Sequence, residues 1–234
     1  MRRRFVLASF AAAALAWAAP LVSGPSSRVA WTLETVKLAR GGDAAKGKKL
    51  HEDCSQCHGD AGNTDVPDVP DLGGQNPLYT YKQLSDFKAG TRASSIMNDA
   101  VSALSDRDMA DLAAFYAAQK RTPLPAKPVP ASEAAVKLAS VGDGVRLIPA
   151  CDACHGDRGA GNPAFYGMPS LEGQKLQDLT VQLTAFRAGE RANDVYRVMR
   201  DVSKRLTDAE IAALSAYYAG GPAEKPPAPS PSAR

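Results

Sequence analysis

A five-residue pattern, Cys-x-x-Cys-His, occurs twice in this chain of 234 residues, at residues 54–58 and 151–155, and the two copies use all four cysteines. Two thiols at this spacing can reach the two vinyl groups on one edge of a porphyrin. The histidine that follows is then directed beneath the iron as its proximal ligand. The pattern therefore predicts two covalently bound haem c groups and, with them, electron transfer.

Two other kinds of site could use the same thiols. A zinc site would need all four cysteines at one point, and a thioredoxin-like redox pair would need only one Cys-x-x-Cys. A histidine and a glycine follow each pair, however, and a matching methionine lies downstream of each, which favours haem. The expected thioether-forming residues are Cys54, Cys57, Cys151 and Cys154, and the expected proximal iron ligands are His58 and His155.

The segments that must position these residues are duplicated as well. Residues 70–75 (Pro-Asp-Leu-Gly-Gly-Gln) match residues 169–174 (Pro-Ser-Leu-Glu-Gly-Gln), and residues 83–92 match residues 182–191. Each half ends in a capping-box pattern, Ser/Thr-x-x-Asp/Glu, followed by apolar residues at helical spacing. The repeats predict two mostly helical domains of one ancestry.

Composition sets the domain boundaries. Domain 1 is expected over residues 36–120 and domain 2 over residues 132–220. Residues 121–131 contain four prolines and are expected to form an extended linker. The Pro-, Ala- and Ser-rich residues 221–234 are expected to be a disordered tail.

Gly47 and Gly144 each lie seven residues before a cysteine pair. Both are expected on the helix that precedes the motif. Glycine lowers the stability of that helix but lets another helix approach closely.

Residues 1–30 have the composition of a secretory signal. Three arginines follow Met1, and an apolar, alanine-rich stretch runs from residue 5 to residue 19, which is typical of a signal peptide. Cleavage after Ala18, Ala19 or Ala30 fits the sequence. We expect export to the bacterial periplasm. The alternative is an uncleaved segment that anchors the chain in the membrane, facing the periplasm.

The basic character of the chain belongs largely to this segment. The whole sequence has 28 Lys and Arg against 25 Asp and Glu. All acidic residues lie from Glu34 onward, so cleavage after Ala30 leaves 24 basic and 25 acidic side chains. No basic patch with interleaved aromatic residues is present, and nucleic acid is therefore not an expected partner.

With these motifs in this order, the chain resembles the dihaem cytochromes c of the c4 class, which have two class I cytochrome c domains in tandem. The resemblance covers about residues 43–220. It implies an all-α fold in which each domain is wrapped around a covalently bound haem.

The resemblance also implies the distal iron ligands. Met97 and Met199 each lie seven residues before a leucine that precedes the last helix, Leu104 or Leu206, where this family places its distal methionine. A thioether is a soft ligand that raises the potential, and two axial ligands leave no position for a substrate.

Three other residues have side chains that could bind iron. Met109 is expected in the core, since it aligns with Ile211 inside a helix. Met168 is the rival in domain 2, but the repeat gives it only Val69 as a counterpart. His51 is expected to be an exposed helix residue, because it lies three residues before a cysteine pair and thus on the proximal side. Three extra residues within 193–198, just before Met199, distinguish domain 2.

Around each haem, the resemblance implies that Pro70 and Pro169 lie against the proximal histidines, where a backbone carbonyl would accept the Nδ1 proton. It also implies that Arg92 and Arg191 contact haem propionates, although an arginine in such a loop is often simply solvated. Domain 1 has Tyr79 where domain 2 has Asp178. The surroundings of the haems therefore differ, and two distinct potentials are expected.

These features imply an electron carrier rather than an enzyme. The expected partners are redox proteins, with a membrane oxidoreductase or a dehydrogenase as donor and a terminal oxidase as acceptor. The alternative is the cytochrome subunit of a larger dehydrogenase such as a flavocytochrome. A dihaem peroxidase would need one haem to release its distal ligand, and the matched methionine in each half disfavours it.

Overall fold

The computed structural model describes residue 27 and residues 29–121, 132–162 and 164–220. Most of the expected signal, the linker beyond Arg121 and the tail over 221–234 lie outside the described residues. Within these ranges the regular structure is helical, apart from a single antiparallel bridge between Asp143 and Ile148. The expected all-α fold is confirmed.

Domain 1 contributes six helices to the described part of the chain and domain 2 contributes five. In domain 1 they are α1 (Leu33–Arg40), α2 (Ala44–Leu50), α3 (Glu52–His58), α4 (Pro77–Lys88), α5 (Ser95–Ala100) and α6 (Asp106–Ala118). In domain 2 they are α7 (Glu133–Ser140), α8 (Cys151–His155), α9 (Leu176–Ala188), α10 (Val198–Ser203) and α11 (Asp208–Ala219), with 3-10 turns at Asp157–Gly159 and Val195–Arg197. None of the helices described here is both long and apolar enough to cross a membrane.

The last helix of each domain begins at the expected capping box. The hydroxyl of Ser105 accepts a hydrogen bond from the backbone of Asp108, whose side chain accepts one from the Ser105 backbone. Thr207 and Glu210 form the same reciprocal pair at the start of α11. The boxes satisfy orphan N–H groups and fix where these helices start. Their buried faces then form much of each core, with Met109, Leu112 and Tyr116 in α6, and Ile211, Leu214 and Tyr218 in α11.

The two domains differ before the cysteine motif. In domain 1, a Cβ atom on Gly47 would lie 2.0 Å from the Asp111 carbonyl oxygen, so glycine allows α2 to lie directly against α6, as expected. In domain 2, Gly144 is not on a helix, and a Cβ atom there would meet nothing within 4 Å. The expectation for Gly144 was therefore wrong.

The physical reason is a shorter segment. Asp43 accepts hydrogen bonds from the two backbone N–H groups that open α2, and Asp143 accepts the equivalent pair from Val145 and Arg146. Ten residues separate Asp43 from its cysteine pair, whereas seven separate Asp143 from the next pair. The shorter segment forms a turn closed by the bridge to Ile148. Counting back from the cysteines therefore matched Gly144 to the wrong position.

Candidate haem-binding sites

The cysteine motifs occupy two short helices, and each ends at its histidine. The next residue, Gly59 or Gly156, has a positive φ of 74° or 82°. A Cβ atom would lie 1.8 Å from the Asn63 carbonyl oxygen in the first case and 2.1 Å from that of Gly161 in the second. Glycine after the histidine is therefore required for the chain to turn away from the helix.

Each histidine of the motif is buried and has one ring nitrogen committed to the backbone. His58 Nδ1 lies 3.1 Å from the Pro70 carbonyl oxygen, and His155 Nδ1 lies 2.9 Å from that of Pro169. Because a carbonyl oxygen only accepts, Nδ1 carries the proton and Nε2 is the nitrogen free to bind a metal. Burial lowers the pKa of both histidines, which favours the neutral ring that iron requires. The expected contact with the two prolines is confirmed.

The two cysteine pairs lie in separate cores. Cys54 packs against the cluster of Leu112, Phe115 and Tyr116, whereas Cys151 packs against the core of domain 2. A four-thiolate zinc site would need these residues at one point, so the arrangement fits two separate haems. Burial raises the pKa of the free Cys54 thiol and raises that of Cys151 to about 11.

The two expected distal methionines lie on short helices that precede the last helix of each domain. Met97 is half-buried in α5, whose first turn is capped by the Ser94 hydroxyl, which accepts a hydrogen bond from the Met97 backbone. Met199 is half-buried near the start of α10. The structure thus gives the two methionines equivalent places along the fold, and their role as iron ligands stays a prediction.

The extra residues of domain 2 form a strained turn before Met199. Tyr196 and Arg197 have φ values of 55° and 61°, in the left-handed region that non-glycine residues rarely occupy. Asp194 accepts hydrogen bonds from the backbone N–H and the Nε of Arg200, the latter at 2.6 Å. This contact holds the turn against α10, so the insertion is an ordered element beside the expected ligand.

The other candidate ligands have different surroundings. Met109 is 1% exposed and lies in the core, as expected. Met168 immediately precedes Pro169, on the segment that contacts the proximal histidine, which does not suit a distal ligand. His51 is not exposed, contrary to expectation, because α2 lies so close to α6. It is 5% exposed, its Nδ1 lies 3.0 Å from the Tyr116 hydroxyl, and its ring lies 4.6 Å from that of Phe115.

Arg92 and Arg191 meet across the domain interface in a symmetric group with two glutamines. The Gln83 side-chain oxygen accepts from Arg92 at 2.7 Å and from Arg191 at 3.1 Å. The Gln182 oxygen accepts from Arg191 at 2.5 Å and from Arg92 at 3.2 Å. Each arginine therefore bonds the glutamine of its own domain and that of the other.

This group has the chemistry of a carboxylate-binding site. Neither Arg92 nor Arg191 forms a salt bridge within the described part of the chain. Burial, and then the neighbouring charge of Arg191, lower the pKa of Arg92 to about 10. Two adjacent guanidinium groups held by neutral amides are stabilised when carboxylates reach them. Haem propionates are such carboxylates, so the residues present fit the group that the motifs imply.

The interface is less symmetric beside this group. Arg191 also donates to the Tyr79 hydroxyl and to the side-chain oxygen of Asn193. Asn193, which is 1% exposed, donates to Asp86 at 2.8 Å, and its carbonyl oxygen accepts from Lys82 at 2.5 Å. The buried Lys82–Asp86 pair was missed from the sequence, because an i,i+4 pair on a helix is usually a solvated one.

A second interface contact joins the proximal sides of the two domains. Gln174 accepts from the Asp71 backbone N–H at 3.0 Å and donates to the Asp71 carbonyl oxygen at 2.9 Å. Gln75 makes the equivalent pair with Ser170, at 2.8 Å and 3.0 Å. Both glutamines are 5% exposed.

Comparisons with family models, known proteins and solved structures identify proteins that are similar to this chain. The family model described as Cytochrome c matches residues 44–118 and 141–219. The chain is 40% identical over 192 residues to cytochrome c4 of Azotobacter vinelandii, covering 76% of this chain and 89% of that protein. It is similar to the crystal structure of reduced recombinant cytochrome c4 from Pseudomonas stutzeri, with a TM-score of 0.72, 38% identity and coverage of 76% and 98%. It is also 36% identical over 196 residues to the thiosulfate dehydrogenase electron acceptor of Stutzerimonas stutzeri, covering 78% of this chain and 89% of that protein.

Proposed function

This chain belongs to the cytochrome c family and is a dihaem cytochrome of the c4 class, and we propose that it carries single electrons in the periplasm between a respiratory donor and a terminal oxidase or another acceptor. It has two covalently bound haem c groups, one in each domain. When bound, each haem supplies an iron that changes by one electron between its ferric and ferrous states. The residues of the chain attach it, orient its ligands and exclude competing ligands.

The observation that carries the proposal is the duplicated histidine geometry. In each domain a buried histidine follows a cysteine pair, and a proline carbonyl oxygen lies within 3.1 Å of its Nδ1 and accepts the Nδ1 proton. This leaves Nε2 as the iron-binding atom. A methionine at an equivalent place on a short helix would then supply the second iron ligand in each half.

The proposed roles follow from these positions. Cys54, Cys57, Cys151 and Cys154 would form the thioether bonds. His58 with Met97, and His155 with Met199, would bind the two irons. Arg92 and Arg191 would hold propionates at the domain interface. With a histidine and a methionine binding each iron, no position would be left for a substrate, which supports electron transfer rather than catalysis.

The donor is proposed to be a dehydrogenase or a membrane oxidoreductase. Support comes from similarity to a protein named as the electron acceptor of a thiosulfate dehydrogenase.

Periplasmic localisation is proposed from the signal-like residues 1–30, and the mass of the protein from a periplasmic fraction tests where the segment ends. An unprocessed N-terminus in a membrane fraction would instead support the anchored form.

The absorption spectrum of the reduced protein, recorded with and without carbon monoxide, tests the electron-carrier proposal. Two six-coordinate irons give a c-type spectrum that carbon monoxide leaves unchanged. A carbon monoxide-induced shift in either haem would show an open iron and contradict the proposal.

The second candidate is the cytochrome subunit of a larger dehydrogenase, such as a flavocytochrome. The similarity to a dehydrogenase electron acceptor supports it as well. Size-exclusion chromatography of the protein from its native source separates the two candidates. A free carrier elutes at the size of one chain, whereas a subunit elutes with a flavin-containing or other dehydrogenase partner.

A further inference from the structure

One peptide group in each domain is hydrogen-bonded on both sides. The carbonyl oxygen of Pro70 accepts from His58 Nδ1 at 3.1 Å, and the N–H of the same peptide group, which belongs to Asp71, donates to Gln174 at 3.0 Å. His58 and Asp71 lie in domain 1, but Gln174 lies in domain 2. A proximal histidine is therefore connected, through a single peptide group, to a side chain of the other domain.

The same connection runs in the opposite direction. His155 Nδ1 donates to the Pro169 carbonyl oxygen at 2.9 Å, and the Ser170 N–H of that peptide group donates to Gln75 at 2.8 Å. His155 belongs to domain 2 and Gln75 to domain 1. The crossed arrangement thus occurs twice, with equivalent residues in exchanged roles.

The orientation of both glutamine amides is fixed by their neighbours. The Gln174 oxygen also accepts from the Lys175 N–H at 3.0 Å, while its nitrogen donates to the Asp71 carbonyl oxygen. The Gln75 oxygen accepts from the Asn76 N–H at 2.8 Å, and its nitrogen donates to the Ser170 carbonyl oxygen. A flipped amide would lose every one of these bonds, so the oxygen faces the peptide N–H in both domains.

A hydrogen bond at the N–H end of a peptide group changes the carbonyl end. Donation from N–H increases the negative charge on the carbonyl oxygen, and bonds linked in this way strengthen each other by about 10–30%. A stronger acceptor draws the Nδ1 proton of the histidine more firmly. The ring then becomes a more basic ligand through Nε2, which stabilises ferric over ferrous iron.

We propose that Gln174 and Gln75 are positioning residues, each of which lowers the reduction potential of the haem in the other domain by polarising the peptide group that holds its proximal histidine. The inference rests on the proposed function, because it takes His58 and His155 as iron ligands. The domain interface then sets the potentials as well as holding the domains together.

The test replaces each glutamine by methionine, which has a similar length and no hydrogen-bonding amide, in the full-length dihaem protein. Potentials are measured by spectroelectrochemical titration, with the haem methyl NMR signals assigned to each domain. Gln174→Met is expected to raise the potential of the domain 1 haem, and Gln75→Met that of the domain 2 haem. The expected size is about a twofold change in the ferric-to-ferrous ratio at a fixed ambient potential, or about 18 mV at about 59 mV per tenfold.

The proton NMR signal of each histidine Nδ1–H in the reduced protein gives a second readout. A weaker hydrogen bond moves this signal upfield, so Gln174→Met is expected to move the signal of His58 and leave that of His155. A general loosening of the interface would move both signals together. If Gln174→Met fails to incorporate both haems, Gln174→Asn keeps the amide but shortens it by one methylene, and the same crossed change is expected.

Asn76→Ser provides the matched control. Asn76 donates across the interface to the Met168 carbonyl oxygen at 3.0 Å, and its oxygen caps α4 at Leu78. Serine keeps a good cap but loses the contact between domains, so both potentials are expected to stay unchanged. A potential shift in the mutated domain itself, equal shifts in both haems or no shift in a correctly loaded variant would each overturn the inference. Missing haem or an open iron in the unmodified protein would instead contradict the proposed function.

Discussion

Domain 1 and domain 2 place the same functional residues on different supports. In both, a glycine ends the motif helix, a proline carbonyl oxygen holds the histidine, and an arginine bonds a glutamine of the other domain. The segments that carry these features differ, since domain 1 has the tightly packed α2 where domain 2 has a turn, and domain 2 has a strained insertion before α10. The contacts of the motif glycine, the histidine and the arginine are therefore the same in both domains, whereas the lengths of the supporting segments differ.

A second difference concerns the buried tyrosine near the end of the last helix in each domain, Tyr116 in α6 and Tyr218 in α11. The Tyr116 hydroxyl meets His51 in domain 1, and the equivalent Tyr218 hydroxyl donates to Asp152 at 2.8 Å in domain 2. A histidine ring in one domain and a carboxylate in the other give the two haems different electrostatic surroundings. Together with Tyr79 and Asp178, this supports the expectation of two distinct potentials.

Removing a proximal histidine gives the largest expected effect and tests whether the two halves are independent. His58→Ala should impair haem incorporation in domain 1 only, and His155→Ala in domain 2 only, because the two imidazole rings lie in separate domains, each with its own core. Intact-protein mass spectrometry counts the haems in each variant. Full loading of both variants would contradict the assignment of the motif.

The distal methionines test whether the strained insertion changes ligation. Met97→Ala and Met199→Ala should each open one iron to carbon monoxide and lower the potential of that haem by a sizeable part of the ~0.8 V range that axial ligands control. Carbon monoxide difference spectra and potentiometry measure both changes. An unaltered spectrum and potential in Met199→Ala, with a clear change in Met97→Ala, would assign a different ligand to domain 2.

The glycines before the motifs test the difference in support directly. Gly47→Ala places a methyl group against the Asp111 carbonyl oxygen and should destabilise domain 1 by about 1–3 kcal/mol or more. Gly144→Ala meets nothing and should stay within about 0.5 kcal/mol of the parent. Thermal unfolding gives the overall change, and amide exchange in α2 and α6 locates it. Equal effects from the two substitutions would erase the distinction between the domains.

Acid stability gives the smallest expected contrast. Hydrogen bonds from Arg146 lower the pKa of Glu210 from 4.5 to about 2. The equivalent capping-box residue of domain 1, Asp108, also has a lowered pKa, but there the main cause is a hydrogen bond from the Ser105 side chain and not an arginine. A carboxyl whose folded pKa is depressed stabilises the fold above its ordinary pKa and loses this contribution as the pH falls through the folded value. Domain 2 should therefore lose this contribution between about pH 4.5 and 2.

The Glu210→Gln variant keeps the shape of the capping residue and removes its charge. Its thermal midpoint should fall less steeply than that of the parent protein over the same pH interval, and amide exchange should place the difference in α11. A parallel pH dependence in the two proteins would show that the Arg146–Glu210 contact contributes nothing measurable, as is common for partly exposed ion pairs.

Local patterns predicted much of this molecule. The all-α fold and the start of the last helices follow from short-range spacing, since a capping box and a helical stripe are complete within one segment. The histidine-to-proline contact followed from the family resemblance. These features recur in both halves, and duplication itself made them recognisable.

The contacts between elements were harder to predict. The expectation that His51 is exposed was wrong because its place against Phe115 depends on how closely α2 approaches α6, which the sequence near His51 does not show. The meeting of Arg92 with Gln182, and of Gln174 with Asp71, depends on how two domains face each other. No motif within a single segment carries that information, and the shift of Gly144 arose from a length change that counting from the cysteines could not detect.

The paired glutamine contacts have a consequence for how the two halves came to share one chain. Because Gln75 contacts Ser170 as Gln174 contacts Asp71, this part of the interface is isologous, with equivalent patches on both sides, as in a twofold-symmetric homodimer. These paired contacts do not involve the segment that connects the domains. For these contacts, joining the halves contributes effective concentration, so the two domains stay associated at protein concentrations at which two separate chains would dissociate.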